Sequence, residues 1–172
     1  MVMTSDYRLV EQAVMLFVVS NITNDCPICG AALFCRSWRA RTLIYSTEDK
    51  VTLMLRRLMC SGCDRIHHEL PDCIVPYKRH CAETIEAVIN RDLEKTPNEP
   101  TILYEERTAY RILSWWSVML PYLLNILKSL SDKYKIRYSN SPAFKELVRA
   151  AVNSNNWTFA DLICTRSVIL SG

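Results

Sequence analysis

Two Cys-x-x-Cys pairs, Cys26 with Cys29 and Cys60 with Cys63, stand thirty residues apart in the chain. Such a turn aims two thiolates at one point. Two of them brought together build a closed tetrahedral zinc site with four sulfur ligands. That site is structural, because four thiolates leave zinc no open position for a water molecule. It is also negatively charged, and Arg56, Arg57 and Arg65 flank the second pair closely enough to offset the charge.

The turn chemistry agrees. The chain has only three glycines, and Gly30 and Gly62 both lie in these turns. Tight knuckles need backbone conformations that glycine adopts freely. Asp64 holds in the second turn the place of Gly30 in the first, and Asp tolerates a left-handed conformation better than most residues.

The stretch Cys60–Cys81 holds four cysteines and all three histidines, more ligands than one zinc can take. His67 and His68 are neighbours in a strand-like run, so they point to opposite faces and do not readily chelate one ion. One is expected to pack near the ribbon and the other to lie exposed. A second zinc drawing on His67, His68, Cys73, His80 or Cys81 is the alternative. Cys35 and Cys164 read as small buried apolar residues.

The ligands need elements to carry them. Leu33–Tyr45 and Val51–Met59 are strand-like runs joined by the polar "STEDK", which predicts a β-hairpin between the two pairs. "RIHHEL" predicts a third short strand. Residues Val14–Val19 fit a strand or the end of a helix equally well. After Cys81 the pattern turns helical. Ile85, Val88, Ile89 and Leu93 recur at helical spacing, and a long helical pattern runs from Leu103 to Tyr134 with a bend expected at Pro121. Ser141 and Pro142 are expected to cap and open a further helix. The predicted fold class is α+β: a small four-cysteine zinc-ribbon β module followed by an all-helical, helix-turn-helix-like region. The predicted segments are 1–23 (N-terminal), 24–72 (ribbon) and 73–172 (helical).

A zinc ribbon is a scaffold, so its function must sit on its surface. Between the cysteine pairs lie Arg36, Arg39 and Arg41, interleaved with Trp38, in a chain of modest net charge, +3. Lys78 and Arg79 follow in "VPYKRH". Arginine beside an aromatic ring suits contact with a phosphate backbone, and a solvated hairpin is the plain alternative. Near the start of the helical pattern Glu105–Trp116, residues Arg107, Thr108, Tyr110 and Arg111 occupy the positions from which a recognition helix reads bases. Leu103, Ile112, Trp115 and Trp116 would pack inward.

The strings "CPICG", "LRRLMCSGCDRIHHELPDCIVPYKRHCAETIEAVI" and "EERTAYRILSWW" resemble an uncharacterised bacterial family that joins a zinc ribbon to a helix-turn-helix and occurs with mobile elements. It is similar to the N-terminal DNA-binding part of insertion-sequence transposases. The resemblance implies zinc on Cys26, Cys29, Cys60 and Cys63, and DNA as partner.

Catalysis finds no support in the pattern. A transposase core needs three carboxylates in an RNase H-like domain. Past Trp116 only Asp132, Glu146 and Asp161 are acidic, in a helical pattern. The Cys-x-x-Cys pairs also lack the βαβ setting of a redox motif. The apolar run Ile112–Leu127 is short for a membrane span and is interrupted by Pro121 and Asn125. No signal-peptide pattern opens the chain and the cysteines come in ligand spacing, so a cytoplasmic location is expected. Together these features predict a non-catalytic, zinc-dependent DNA-binding protein. A protein-interaction module using the Trp-rich helices is the alternative.

Overall fold

In the computed structural model the described residues are 1–45, 49–90, 106–135, 137 and 142–157. The chain divides into two compact units, Met1–Ala82 and Glu83–Gly172.

The first unit is a mixed six-stranded sheet. Its strands are β1 (Val2–Thr4), β2 (Tyr7–Gln12), β3 (Met15–Ser20), β4 (Leu33–Ile44), β5 (Lys50–Cys60) and β6 (Ile66–Pro71). The strand β5 organises the rest. It pairs antiparallel with β4 along its whole length, from Leu33↔Cys60 to Ile44↔Lys50. Its other edge is shared. Leu53 and Met54 pair in parallel with Leu16 and Phe17 of β3, while Arg57, Leu58 and Met59 pair antiparallel with His68, His67 and Ile66 of β6. The strand β1 then runs parallel to β6, and β2 forms a hairpin with β3.

That hairpin turns on two residues, Ala13 and Val14, with φ of 47° and 70°. A two-residue hairpin loop of this type needs positive φ at both positions, and neither residue adopts it easily. On β4 a bulge between Cys35 and Ser37 takes Arg36 out of register. The core of this unit includes Val18, Leu43, Leu53, Leu55, Leu58 and Val75, all buried.

The described residues of the second unit are helical: α1 (Ala82–Asn90, from the unit boundary onward), α2 (Glu106–Tyr134) and α3 (Phe144–Asn153). Ile112, Trp115, Met119, Leu123 and Leu127 form one buried stripe at helical spacing. Trp116 meets Phe144 of α3 edge to face at 5.2 Å, and Trp115 lies 6.4 Å from Trp157. Leu147, Val148, Ala151 and Val152 complete the buried face of α3.

The expected fold class is therefore corrected. The β part is not a small ribbon: the segment before Cys26 supplies three strands to its sheet. Their partners lie on β5 and β6, far along the chain, and local periodicity carries no information about such pairing. Nor do the described residues that follow form a helix-turn-helix region. The stretch expected to be a short recognition helix opens the 29-residue helix α2. The buried stripe continues past Pro121, whose ring lies on the exposed side, so the missing N–H does not end the helix. Leu103 and Ser141 lie outside the described residues, and the N-cap of α3 is Ala143. Among the described residues no helix is long and apolar enough to cross a membrane.

Candidate metal centre

The sulfur atoms of Cys26, Cys29, Cys60 and Cys63 all lie within 4.8 Å of one another. Cys26 and Cys63 are 3.8 Å apart, and Cys29 and Cys60 are 3.3 Å apart. A tetrahedral thiolate centre with metal–sulfur bonds of about 2.3 Å needs sulfur–sulfur edges of about 3.8 Å. The donor set thus fits a metal ion after adjustments of up to about 1 Å in sulfur–sulfur distance. Among the described residues no other group of potential ligands converges in this way. The proposed alternative cluster does not form: Cys73 and Cys81 are each buried as part of the core.

The two knuckles are built alike. The N–H of Cys26 donates to the carbonyl of Ala31, and the N–H of Cys60 donates to the carbonyl of Arg65. Each turn is closed by a left-handed residue four positions after its first cysteine, Gly30 (φ 73°) and Asp64 (φ 55°). Gly62 answers a different need. A Cβ there would lie 2.8 Å from the Cβ of Ala31, so the close approach of the two knuckles excludes a side chain. The N–H of Ser61 donates to the carbonyl of Ala32 and ties one knuckle to the other.

Burial disfavours a thiolate at Cys60, but the N–H groups of Gly62 and Cys63 aimed at its sulfur outweigh this and bring its pKa to about 6. The Gly62 N–H lies 3.3 Å from that sulfur. The neighbouring thiols of Cys29 and Cys63 also lower Cys60 and are themselves pushed up, Cys29 to about 12, so without a cation the cluster favours one thiolate among its sulfurs.

His67 is a member of this site. Its Nε2 lies 3.4 Å from the Cys26 sulfur and its Nδ1 lies 3.4 Å from the Met1 nitrogen. In the tautomer with Nδ1 accepting from the Met1 nitrogen, the Nε2–H would donate to the Cys26 sulfur. Burial, then the Met1 ammonium and Arg65, push its pKa down and keep the ring neutral. Alternation predicted that one of His67 and His68 would pack and the other lie exposed; His67 is the packed one, and His68 is half-buried. The pattern could not tell that the packed one meets a ligand sulfur, because the contact spans the chain from Cys26 to His67.

The arginines near the second knuckle do not all serve it. Arg56 forms a two-pronged ion pair with Glu69, at 2.6 and 2.8 Å, and Glu69 is 1% exposed. Cys35 is exposed beside the bulge, with its sulfur toward the Ser37 carbonyl, and is not the buried residue expected. Cys164 lies outside the described residues.

The basic candidates fall in different places. Arg36 and Arg39 are exposed on β4, and Trp38 packs edge to face on Phe17 at 5.0 Å. Arg41 donates to the carbonyl of Lys78 at 2.8 Å. Its pKa is pushed down by burial and then by Arg39 and Arg79, so these three charges are neighbours. Arg107, Tyr110 and Arg111 are exposed on the first turns of α2, and Thr108 is half-buried there. They belong to the second unit.

No curated protein and no solved structure matches the chain at a significant level. A family model described as a domain of unknown function, DUF6431, covers residues 26–112, more than half of the 172, and includes both knuckles and the strands between them; the chain belongs to this family.

Proposed function

We propose that the chain is a zinc-dependent, non-catalytic DNA-binding protein, whose sheet unit grips the phosphate backbone while a four-thiolate zinc holds that unit together. One observation carries the reading. Arg41 bonds the backbone of Lys78, and this draws two basic clusters that are far apart in sequence, Arg39 with Arg41 and Lys78 with Arg79, to one place. Like charges gather at a cost, which a polyanion relieves. Zinc is favoured over other metals by an all-thiolate tetrahedral donor set. The seven described cysteines form no disulfide, which suits a reduced, cytoplasmic setting. The resemblance to the front end of insertion-sequence transposases supports a role as regulator or accessory factor beside mobile elements.

The test is a salt titration of duplex binding. Replacing Arg39, Arg41, Lys78 and Arg79 together should weaken binding to every duplex alike and flatten the salt slope by about one unit per lost phosphate contact. A quadruple variant that binds duplex as well as the parent removes the reading. The second reading, a protein-interaction module, has its own support at the β2–β3 hairpin, where Val14 is 95% exposed and Leu9 and Met15 are exposed beside it. Binding to a partner through that tip would be insensitive to salt.

A further inference from the structure

Paired residues in a sheet share a face. Arg57 on β5 pairs with His68 on β6, and Leu55, two residues earlier on β5, pairs with Arg39 on β4. Arg39, Arg41, Arg57 and His68 therefore project to one side of the sheet. His67 and Glu69 belong to the other, while Arg56, which bonds Glu69, also borders the cleft on the arginine side. On the arginine side the chain beyond β6 borders a cleft of about 330 Å³, and Tyr77 lines its edge. Leu55 and Leu70, both buried, give the cleft an apolar floor.

Three features of this cleft point to an anionic ligand. No described residue lining it is an Asp or a Glu. The Nε of Arg57 is buried and meets no acceptor in the protein. Arg57 itself lines the cleft, and a guanidinium offers a phosphate donors in the geometry of its fork. Burial, then Arg39 and Arg57, push His68 down, as expected for a ring among cations.

Tyr77 adds the rest. It is a non-glycine residue held at φ 63°, and its side chain is 59% exposed. Strained backbone of this kind gathers at ligand sites. The Arg41 bond to the next carbonyl, that of Lys78, fixes the segment. The volume is at the lower end of small-ligand pockets, about 300 Å³, and exceeds what a phosphate alone fills.

We propose that this cleft binds one nucleotide unit with an unpaired base, its phosphate among Arg39, Arg57 and His68 and its base stacked on Tyr77. The proposal rests on the DNA-binding reading and narrows it. A base inside a duplex is already stacked on both faces and cannot reach Tyr77. The ligand is therefore a single strand, a strand end or a free nucleotide.

The experiment uses the full chain loaded with zinc. Fluorescence anisotropy compares a labelled thymidine strand of roughly twelve nucleotides with a hairpin duplex. Thymidine 5′-monophosphate and inorganic phosphate serve as competitors. Arg57→Gln should lower single-strand affinity about tenfold and weaken both competitors. Tyr77→Ala should lower single-strand affinity by about tenfold and leave competition by inorganic phosphate unchanged. Arg39→Gln, at an exposed strand position, gives the same reading as Arg57→Gln should that variant lose its metal or its fold. Single-strand affinity unchanged in Arg39→Gln and Tyr77→Ala, with metal content intact, overturns the proposal. If duplex binding persists in that case, the cleft falls and the DNA reading stands. If no oligonucleotide binds but thymidine monophosphate does, and Tyr77→Ala removes it, the DNA reading falls and the cleft stands as a free-nucleotide site.

Discussion

The thiolate centre and the arginine cleft are carried by the same strands and meet at adjacent residues. On β6, His67 turns to the sulfur of Cys26 and His68 turns to the arginines. On β5, Arg56 bonds the buried Glu69 and Arg57 lines the cleft. Strand alternation sends His67 and His68 to opposite faces, while Arg56 and Met1, which also line the cleft, link the two sites. Their chemistry is opposite too. The first gathers acceptors that repel one another until a cation arrives. The second gathers donors that repel until an anion does. The difference lies in closure. Four sulfurs surround the first, so an ion held there would belong to the fold. The cleft is open at Tyr77, so a ligand held there would be free to leave.

The largest effect should come from breaking the closed site. Binding of structural zinc contributes on the order of 10 kcal/mol, comparable with the whole stability of a domain. Cys60→Ser, or a strong chelator, should therefore abolish cooperative unfolding of the Met1–Ala82 unit. The parent should hold one zinc per chain. Metal analysis with a melt followed by far-ultraviolet circular dichroism checks both. A Cys60→Ser variant with undiminished zinc would show that these cysteines do not hold it.

The next effect contrasts the two neighbouring arginines. Arg56→Met leaves the Glu69 carboxylate buried without its partner, which costs about 3 kcal/mol. Arg57→Gln removes a charge from among like charges and should change stability by less than about 1 kcal/mol. Denaturant unfolding of the two variants measures this. Equal losses would mean that Arg57 has a structural partner and that the cleft is not poised for a ligand.

The closed site was legible in the sequence, and the open one was only partly so. A Cys-x-x-Cys turn is local: its spacing, Gly30, Gly62 and even the left-handed Asp64 are written within a few residues of each ligand. The hairpin that brings the knuckles together was legible as well, because β4 and β5 are consecutive. Arg39 and Arg41 stood out as a basic pair. Arg57 was read as a basic residue offsetting the thiolates, and its place in the cleft was hidden because it depends on the pairing of β5 with β6 and on the path of the chain through Tyr77. The same limit hid β1 to β3, whose partners are distant strands. It also misled the reading of α2. The helical pattern running to Tyr134 was legible, but arginine and threonine at its start suggested a helix-turn-helix, whereas the stripe through Leu127 makes one long helix packed on α3.

A smaller effect should separate His67 from the four sulfurs. Its N–H supports the Cys26 thiolate without binding the metal. Residues in that role change metal affinity by about ten- to a hundredfold. His67→Phe should keep the fold and the zinc at neutral pH but surrender the zinc to a competing chelator at correspondingly lower concentration. Retention equal to the parent would reduce the contact to packing.

The smallest effect is a titration of His68. Its surroundings are Arg39 and Arg41 on β4, Arg57 on β5 and the Met1 ammonium; burial contributes the larger share and these charges the rest, all lowering its pKa from 6.5. The folded state therefore binds fewer protons than the unfolded chain. The stabilisation linked to a neutral His68 is present above pH 6.5 and is lost as pH falls through the folded value. An anion in the cleft reverses part of this, because it favours the imidazolium. Sulfate is a suitable probe, since it stays fully charged across the range in which histidine titrates. The ring-proton resonances of His68, assigned from a His68→Asn variant, should show a midpoint below 6.5 that moves upward with added sulfate. By linkage, sulfate must then bind more tightly at the acid end of the range. The parent and an Arg57→Gln variant should differ, with the sulfate-induced rise smaller in the variant. A midpoint indifferent to sulfate would mean that no anion reaches His68, and the contrast between the two faces of the sheet would reduce to one metal centre and one solvated surface.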